Sequence, residues 1–221
     1  MQGAEIRPEG HAPPSPEVST TTRMQGSSVL LVRFTLTYRG PLPSSGDRTK
    51  KHAIRVDFHP QLRELWRVHP ALSHLQHLVG PADSTEEGGA QVTEVSGKKY
   101  ATLVHPYLSL QAELDVLVLR AGEPGSVISS HSGDLDNQLK TLFDALRRPS
   151  TPTEVPPSWT PSPEEEPFHC LLDDDKYVTR VNVEVDRLLR VPSSPQAYAE
   201  VEVRVLIKAV RSTWGNVGLV G

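Results

Sequence analysis

The stretch Gly133–Pro149, GDLDNQLKTLFDALRRP, governs how the rest of the chain is read. Leu139, Leu142, Phe143 and Leu146 fall at i, i+3, i+4 and i+7, which predicts a helix of about 11 residues with one apolar face. Asp136 stands where an N-cap carboxylate would accept an orphan backbone N–H and meet the positive end of the helix dipole. Asn137, Lys140 and Asp144 lie on the opposite face, with Lys140 one turn beyond Asp136. Asp134, two residues earlier, points the same way as Asp136 in an extended approach. A pair of carboxylates, an amide and an ammonium therefore gather at one helix mouth.

On either side of this helix the pattern is that of strands. Upstream, Leu114–Arg120 reads as a strand ending at a Pro-Gly turn, preceded by a short extended piece in YATLVHPYL (100–108). Downstream, KYVTRVNVEVDRLL (176–189) sets Val181, Val183 and Val185 against Arg180, Asn182, Glu184 and Asp186. A last strand in AEVEVRVLIKAV (199–210) shares one face among Val201, Val203, Val205 and Ile207. Further toward the N-terminus, a strand near 27–40 carries Leu30, Val32, Phe34, Leu36 and Tyr38 on one face. A basic loop follows, with Arg48, Lys50, Lys51, His52 and Arg55. A helical region over 59–79 is divided at Pro70, and 81–98 reads as a flexible connection. The order β-α-β-β-α-β-β lacks regular βαβ alternation and predicts an α+β domain, a mixed β-sheet with packed helices.

Residues 1–26, rich in Pro, Ser, Thr and Gly, read as a disordered tail, 27–211 as the domain and 212–221 as a C-terminal tail. Within the domain, 150–168 reads as an acidic, Pro-rich insertion running over the surface. The net charge of −4 does not mark a nucleic-acid binder, but its distribution is uneven. Glu154, Glu164, Glu165, Glu166, Asp173, Asp174 and Asp175 occupy 150–175 with no Lys or Arg, so the remainder carries +3. The single cysteine, Cys170, excludes an intrachain disulfide framework. No apolar run reaches the roughly 20 residues of a membrane span, and the N-terminus lacks a signal-peptide core, so no membrane role and a cytoplasmic location are expected.

Two converging carboxylates repel unless a cation lies between them, and Mg²⁺ suits hard oxygen ligands that leave room for water and phosphate. LLDDDKYV (171–178) could bring Asp173, Asp174 or Asp175 to the same ion. The same residues also serve as ordinary helix caps and solvated turns, and spacing alone does not separate the two readings. His74 and His77, at i, i+3, lack an acidic or cysteine partner nearby, and with His59 and His69 read as surface or satisfied side chains. Cys170 and His169, adjacent on a strand, diverge and form no catalytic pair. Trp66 reads as core, Trp159 and Trp214 as exposed.

DLDNQLKTLFDAL followed by LLDDDKYV and a strand resembles the RusA-type Holliday junction resolvases, Mg²⁺-dependent endonucleases of DNA recombination and repair. The resemblance covers 100–210 by motif and 27–99 by element order only. It implies that Asp134, Asp136 and Asp174 hold Mg²⁺, with Mn²⁺ as a substitute and Asp173 as neighbour. Lys140 matches the lysine required for cleavage, while Asn137 and Asp144 match positions within the helix motif. It also implies a homodimer on branched DNA. Given a nuclease, the basic charge of Arg48, Lys50, Lys51 and Arg55 makes them candidate phosphate contacts, with a solvated loop as the equal alternative. The chain departs from the compact resolvases in its tail, its helical region and its acidic insertion. A non-catalytic nucleic-acid or protein interaction module on the same fold is the alternative.

Overall fold

A computed structural model describes residues 30–80, 88–121, 135–190, 198–211 and 216. The expected tails, apart from Asn216, lie outside these residues, as does Asp134. Strand β1 (Leu30–Pro41) pairs antiparallel with β7 (Tyr198–Ala209), and β7 pairs antiparallel with β4 (Leu110–Arg120). β4 in turn pairs in parallel with β6 (Val178–Arg187), giving a four-stranded mixed sheet in the order β1-β7-β4-β6. The second sheet is also mixed: β2 (Val92–Val95) is antiparallel to β3 (Lys98–Val104), which is parallel to β5 (Phe168–Leu172).

The mixed α+β content agrees with expectation, but the described residues form two sheets rather than one. Strand β2 falls in the stretch read as flexible. Its signal is the two-residue Ser96-Gly97 turn, with φ of 56° and 71°, the left-handed pair that a tight hairpin needs. Strand β5 also went unread, because all five of its residues are buried and so show no alternation.

Helix α1 (Arg48–Val68) begins where a basic loop was expected. Asp47 caps it, Oδ1 accepting from the Lys50 N–H at 2.9 Å, and Ile54, Phe58, Leu62 and Trp66 form a buried stripe at intervals of four. Each such side chain contributes roughly 1.5–3 kcal/mol on burial. Pro60 lies inside the helix, exposed, and leaves one carbonyl of the preceding turn without its usual donor. Pro70 does divide the region: it opens a short α2 (Pro70–Ser73), with His69 Nδ1 accepting from the Ala71 N–H.

Helix α3 (Leu135–Leu146) is the motif helix. Its buried face holds Gln138, Thr141, Leu142, Ala145 and Leu146, while Leu139 and Phe143 are half-buried, so the helix is rotated from the leucine-based expectation. The main core lies between the four-stranded sheet, α1 and α3. A smaller cluster of Val95, Tyr100, Val155, Phe168 and Cys170 is covered by the half-buried Trp159. The segment at 150–167 is therefore a packed strap: its Val155 and Pro156 are buried, and its Trp159 ring stands 4.2 Å from His52. No helix among the described residues is long and apolar enough to cross a membrane.

Candidate metal and nucleic-acid site

Asp136 is the second residue of α3, not its N-cap. Asp136, Asn137 and Lys140 are all exposed at this end of the helix. The neighbouring Gln138 is buried and accepts from Arg120 Nη1 at 3.4 Å, which fastens the α3 N-terminus to the C-terminal end of β4.

Asp144, at the far end of α3, is a structural hub. Its Oδ2 accepts from Lys51 Nζ at 2.5 Å, and its Oδ1 accepts from Arg147 Nη2 at 3.1 Å. Arg147 also donates to Glu154 Oε2 at 2.9 Å, tying the strap to the helix. Arg55 is buried against the same helix end, donating to the carbonyls of Asp144 at 2.7 Å and Arg147 at 3.0 Å. A buried guanidinium that closes off a helix C-terminus cannot reach DNA phosphate, so Arg55 is corrected from a contact residue to a capping one. Lys51 is engaged with Asp144, whereas Arg48 and Lys50 remain exposed on the first turn of α1.

The aspartate run lies at the end of β5. Asp173 is ion-paired with Arg148 Nε, and His105 Nε2 stands 4.0 Å from the same carboxylate. Burial lowers the His105 pKa, opposed by the Asp173 charge and reinforced by Arg148. Asp174 caps the 3-10 turn Asp175–Tyr177, accepting from the Lys176 N–H at 3.0 Å and from Lys176 Nζ at 3.3 Å. The backbone hydrogen bond first, and the Lys176 ammonium after it, hold the Asp174 carboxyl below the usual carboxylate range. Sequence reasoning missed Arg148 and His105, although "RRP" directly after the helix marked the former.

One chain does not bring these two groups together. Arg147 and Leu172 form a parallel bridge, and the Arg148 N–H donates to the Leu172 carbonyl at 2.9 Å, so Asp173 follows the C-terminal end of α3. Asp136 is one helix length away, about 16 Å along the axis. The sheet also separates them, on independent grounds. Asp174 precedes Val178, which pairs with Ala112 near the start of β4, whereas Asp136 neighbours Gln138, which is bound to Arg120 at its end. Ala112 to Arg120 spans about 26 Å of strand. Among the described residues, no group of three or more His, Cys, Asp or Glu side chains could hold a metal ion. No family model, no curated protein and no solved structure matches the chain.

Proposed function

We propose that this protein is a RusA-like, Mg²⁺-dependent endonuclease that cleaves branched DNA as a homodimer. The observation that carries this reading is the end of α3: Asp136, Asn137 and Lys140 stand exposed together on a helix whose other face is core. A carboxylate, an amide and an ammonium on one exposed helix end suit a cation and a phosphodiester better than they suit packing.

Within one chain the described carboxylates do not fit a shared ion, because Asp136 and Asp174 lie at opposite ends of α3. The reading therefore requires two copies, with Asp134 and Asp136 of one and Asp174 of the other as ligands, beside Asp173. A divalent ion held there would supply Lewis-acid activation for phosphodiester hydrolysis. Lys140 would offset charge developing on the phosphate, and Arg48 and Lys50 would contact the backbone of the DNA arms.

A second reading, a non-catalytic interaction module, is favoured by one specific feature. Asp144 and Asp173, both in the motif, are consumed by ion pairs with Lys51, Arg147 and Arg148. Cleavage of labelled four-way junction, duplex and single-stranded DNA, with Mg²⁺ or EDTA, separates the two. Paired Mg²⁺-dependent nicks in the junction, absent with Asp136→Asn, are expected of the nuclease. No cleavage of any substrate, with equal DNA binding by both proteins, would establish the module instead.

A further inference from the structure

The two edges of the four-stranded sheet are treated differently. At β1, Gln61 of α1 closes the edge: its Oε1 accepts from the Thr37 N–H at 2.9 Å and its Nε2 donates to the Thr37 carbonyl at 2.7 Å, as a neighbouring strand would. At β6 there is no such closure among the described residues. Past Val178, whose N–H closes the preceding 3-10 turn, the one side chain bonded to its backbone is Asp186, which accepts from the Arg187 N–H. This edge is ten residues long and contains no Pro or Lys, residues that commonly protect exposed edges. It also sets Val181, 43% exposed, beside the half-buried Val183 and Val185 on the side of the sheet that carries the core.

We infer that β6 pairs antiparallel with β6 of a second copy of this chain, joining two four-stranded sheets into one. The occupant follows from the strand's self-complementarity. A two-fold axis perpendicular to the sheet keeps each residue on its own face, so only registers that pair residues of equal parity are open. With the axis at Val183, Val181 meets the other copy's Val185, Asn182 meets Glu184 and Arg180 meets Asp186. Valine thus opposes valine on one face; on the other an amide meets a carboxylate, and Arg180, which also holds Glu113 and Asp115, meets Asp186. Moving the axis to Asn182 shortens the ladder, because the register irregularity beside Ala112 and Glu113 ends regular pairing before Arg180. Moving it to Glu184 sets two glutamates face to face.

The pairing deepens the reading under Proposed function, on which its catalytic consequence rests, while the interface itself stands on the strand alone. The antiparallel arrangement lays the start of one β6 beside the end of the other. Asp174, just before β6, thereby approaches the other copy's β4 C-terminus, where Leu188 N–H bonds to the Arg120 carbonyl and Arg120 holds Gln138 of α3. The ends that are separated within one chain become neighbours between two.

The full chain carrying Val183→Cys tests this, since Cys170 is buried and does not compete. Residues directly opposed across antiparallel strands have Cα atoms about 4.5–5.5 Å apart, within disulfide range. Mild oxidation is expected to give a covalent dimer on a non-reducing gel. Val181→Cys alone should not, because its copies are offset by four residues, about 13 Å along the strand; Val181→Cys with Val185→Cys should. Sedimentation of the unmodified protein should show a dimer of the 24.3-kDa chain. Val181→Lys, at the most exposed of the three valines, should shift it to monomer with the circular dichroism of the folded chain retained. A monomer at micromolar concentration, or cross-linking as ready at Val181→Cys as at Val183→Cys, overturns the inference. A cross-linked dimer that cuts no DNA leaves the interface standing and removes only the nuclease reading.

Discussion

If the metal site is shared between copies, two inactive variants should restore each other. Asp136→Asn and Asp174→Asn each remove one half of every site in their own homodimer. In a mixed dimer one site carries both asparagines and the other carries both aspartates. Equal mixing with free exchange makes about half of all dimers mixed, each with one intact site of two, so about a quarter of the original sites return. The separation of about 16 Å along α3 is what makes the outcome diagnostic, since a site built within one chain would be broken in every molecule. The assay is Mg²⁺-dependent cleavage of a labelled four-way junction after the variants have been mixed and allowed to exchange. Products should be single nicks rather than paired ones, because the mixed dimer cuts one strand only. Activity no higher than either variant alone, with subunit exchange verified by sedimentation or fluorescence transfer, would refute the shared site.

Three further outcomes follow from the packing. Arg55→Leu leaves two carbonyls at the α3 C-terminus without donors, at about 1–3 kcal/mol each, so urea stability should fall by roughly that sum; a variant of unchanged stability that binds DNA less well would return Arg55 to the phosphate contacts. His52, His59 and His169 are each pushed down to about 4, chiefly by burial. The unfolded chain therefore binds more protons below the ordinary value of 6.5, and stability should hold above that pH and decline toward 4 by roughly 1.4 kcal/mol per pH unit for each histidine; denaturation midpoints that stay flat across this window would contradict the burial. A Cβ on Gly46 would lie 2.6 Å from Thr141 Cγ2 and 2.8 Å from its Oγ1. Gly46→Ala should cost about 1–3 kcal/mol, with most of it recovered when Thr141→Ala is added, and additive losses would rule out that contact.

How much of this was legible in the sequence depended on alternation. Strands half-covered by core, such as β1 and β7, alternate and were readable, whereas β5, buried along its whole length, was not. The first half of α1 was hidden by its lysines and by Pro60, although Ile54, Phe58, Leu62 and Trp66 keep a spacing of four. Helix α3 was readable as an element but not in its rotation. Leucine count favoured Leu139 and Phe143, while the structure buries Gln138 and Thr141, because Arg120 supplies a partner for the former and Gly46 packs against the latter.

Connectivity carried one piece of information about the candidate site that residue spacing did not. The DLDN run follows β4, and the DDD run precedes β6. When β4 and β6 are neighbours in parallel, as here, a segment leaving the end of the first and a segment entering the start of the second lie at opposite ends of the sheet. No choice of side-chain rotamer spans that distance. Only a strand running the other way can return the DDD run to the level of the DLDN run, and in this chain β7, the antiparallel neighbour of β4, carries neither run. An antiparallel β6 from a second copy does carry it. The divided aspartates follow from this parallel pairing and the open edge from the place of β6 at the end of the sheet, and the one inferred interface would resolve both.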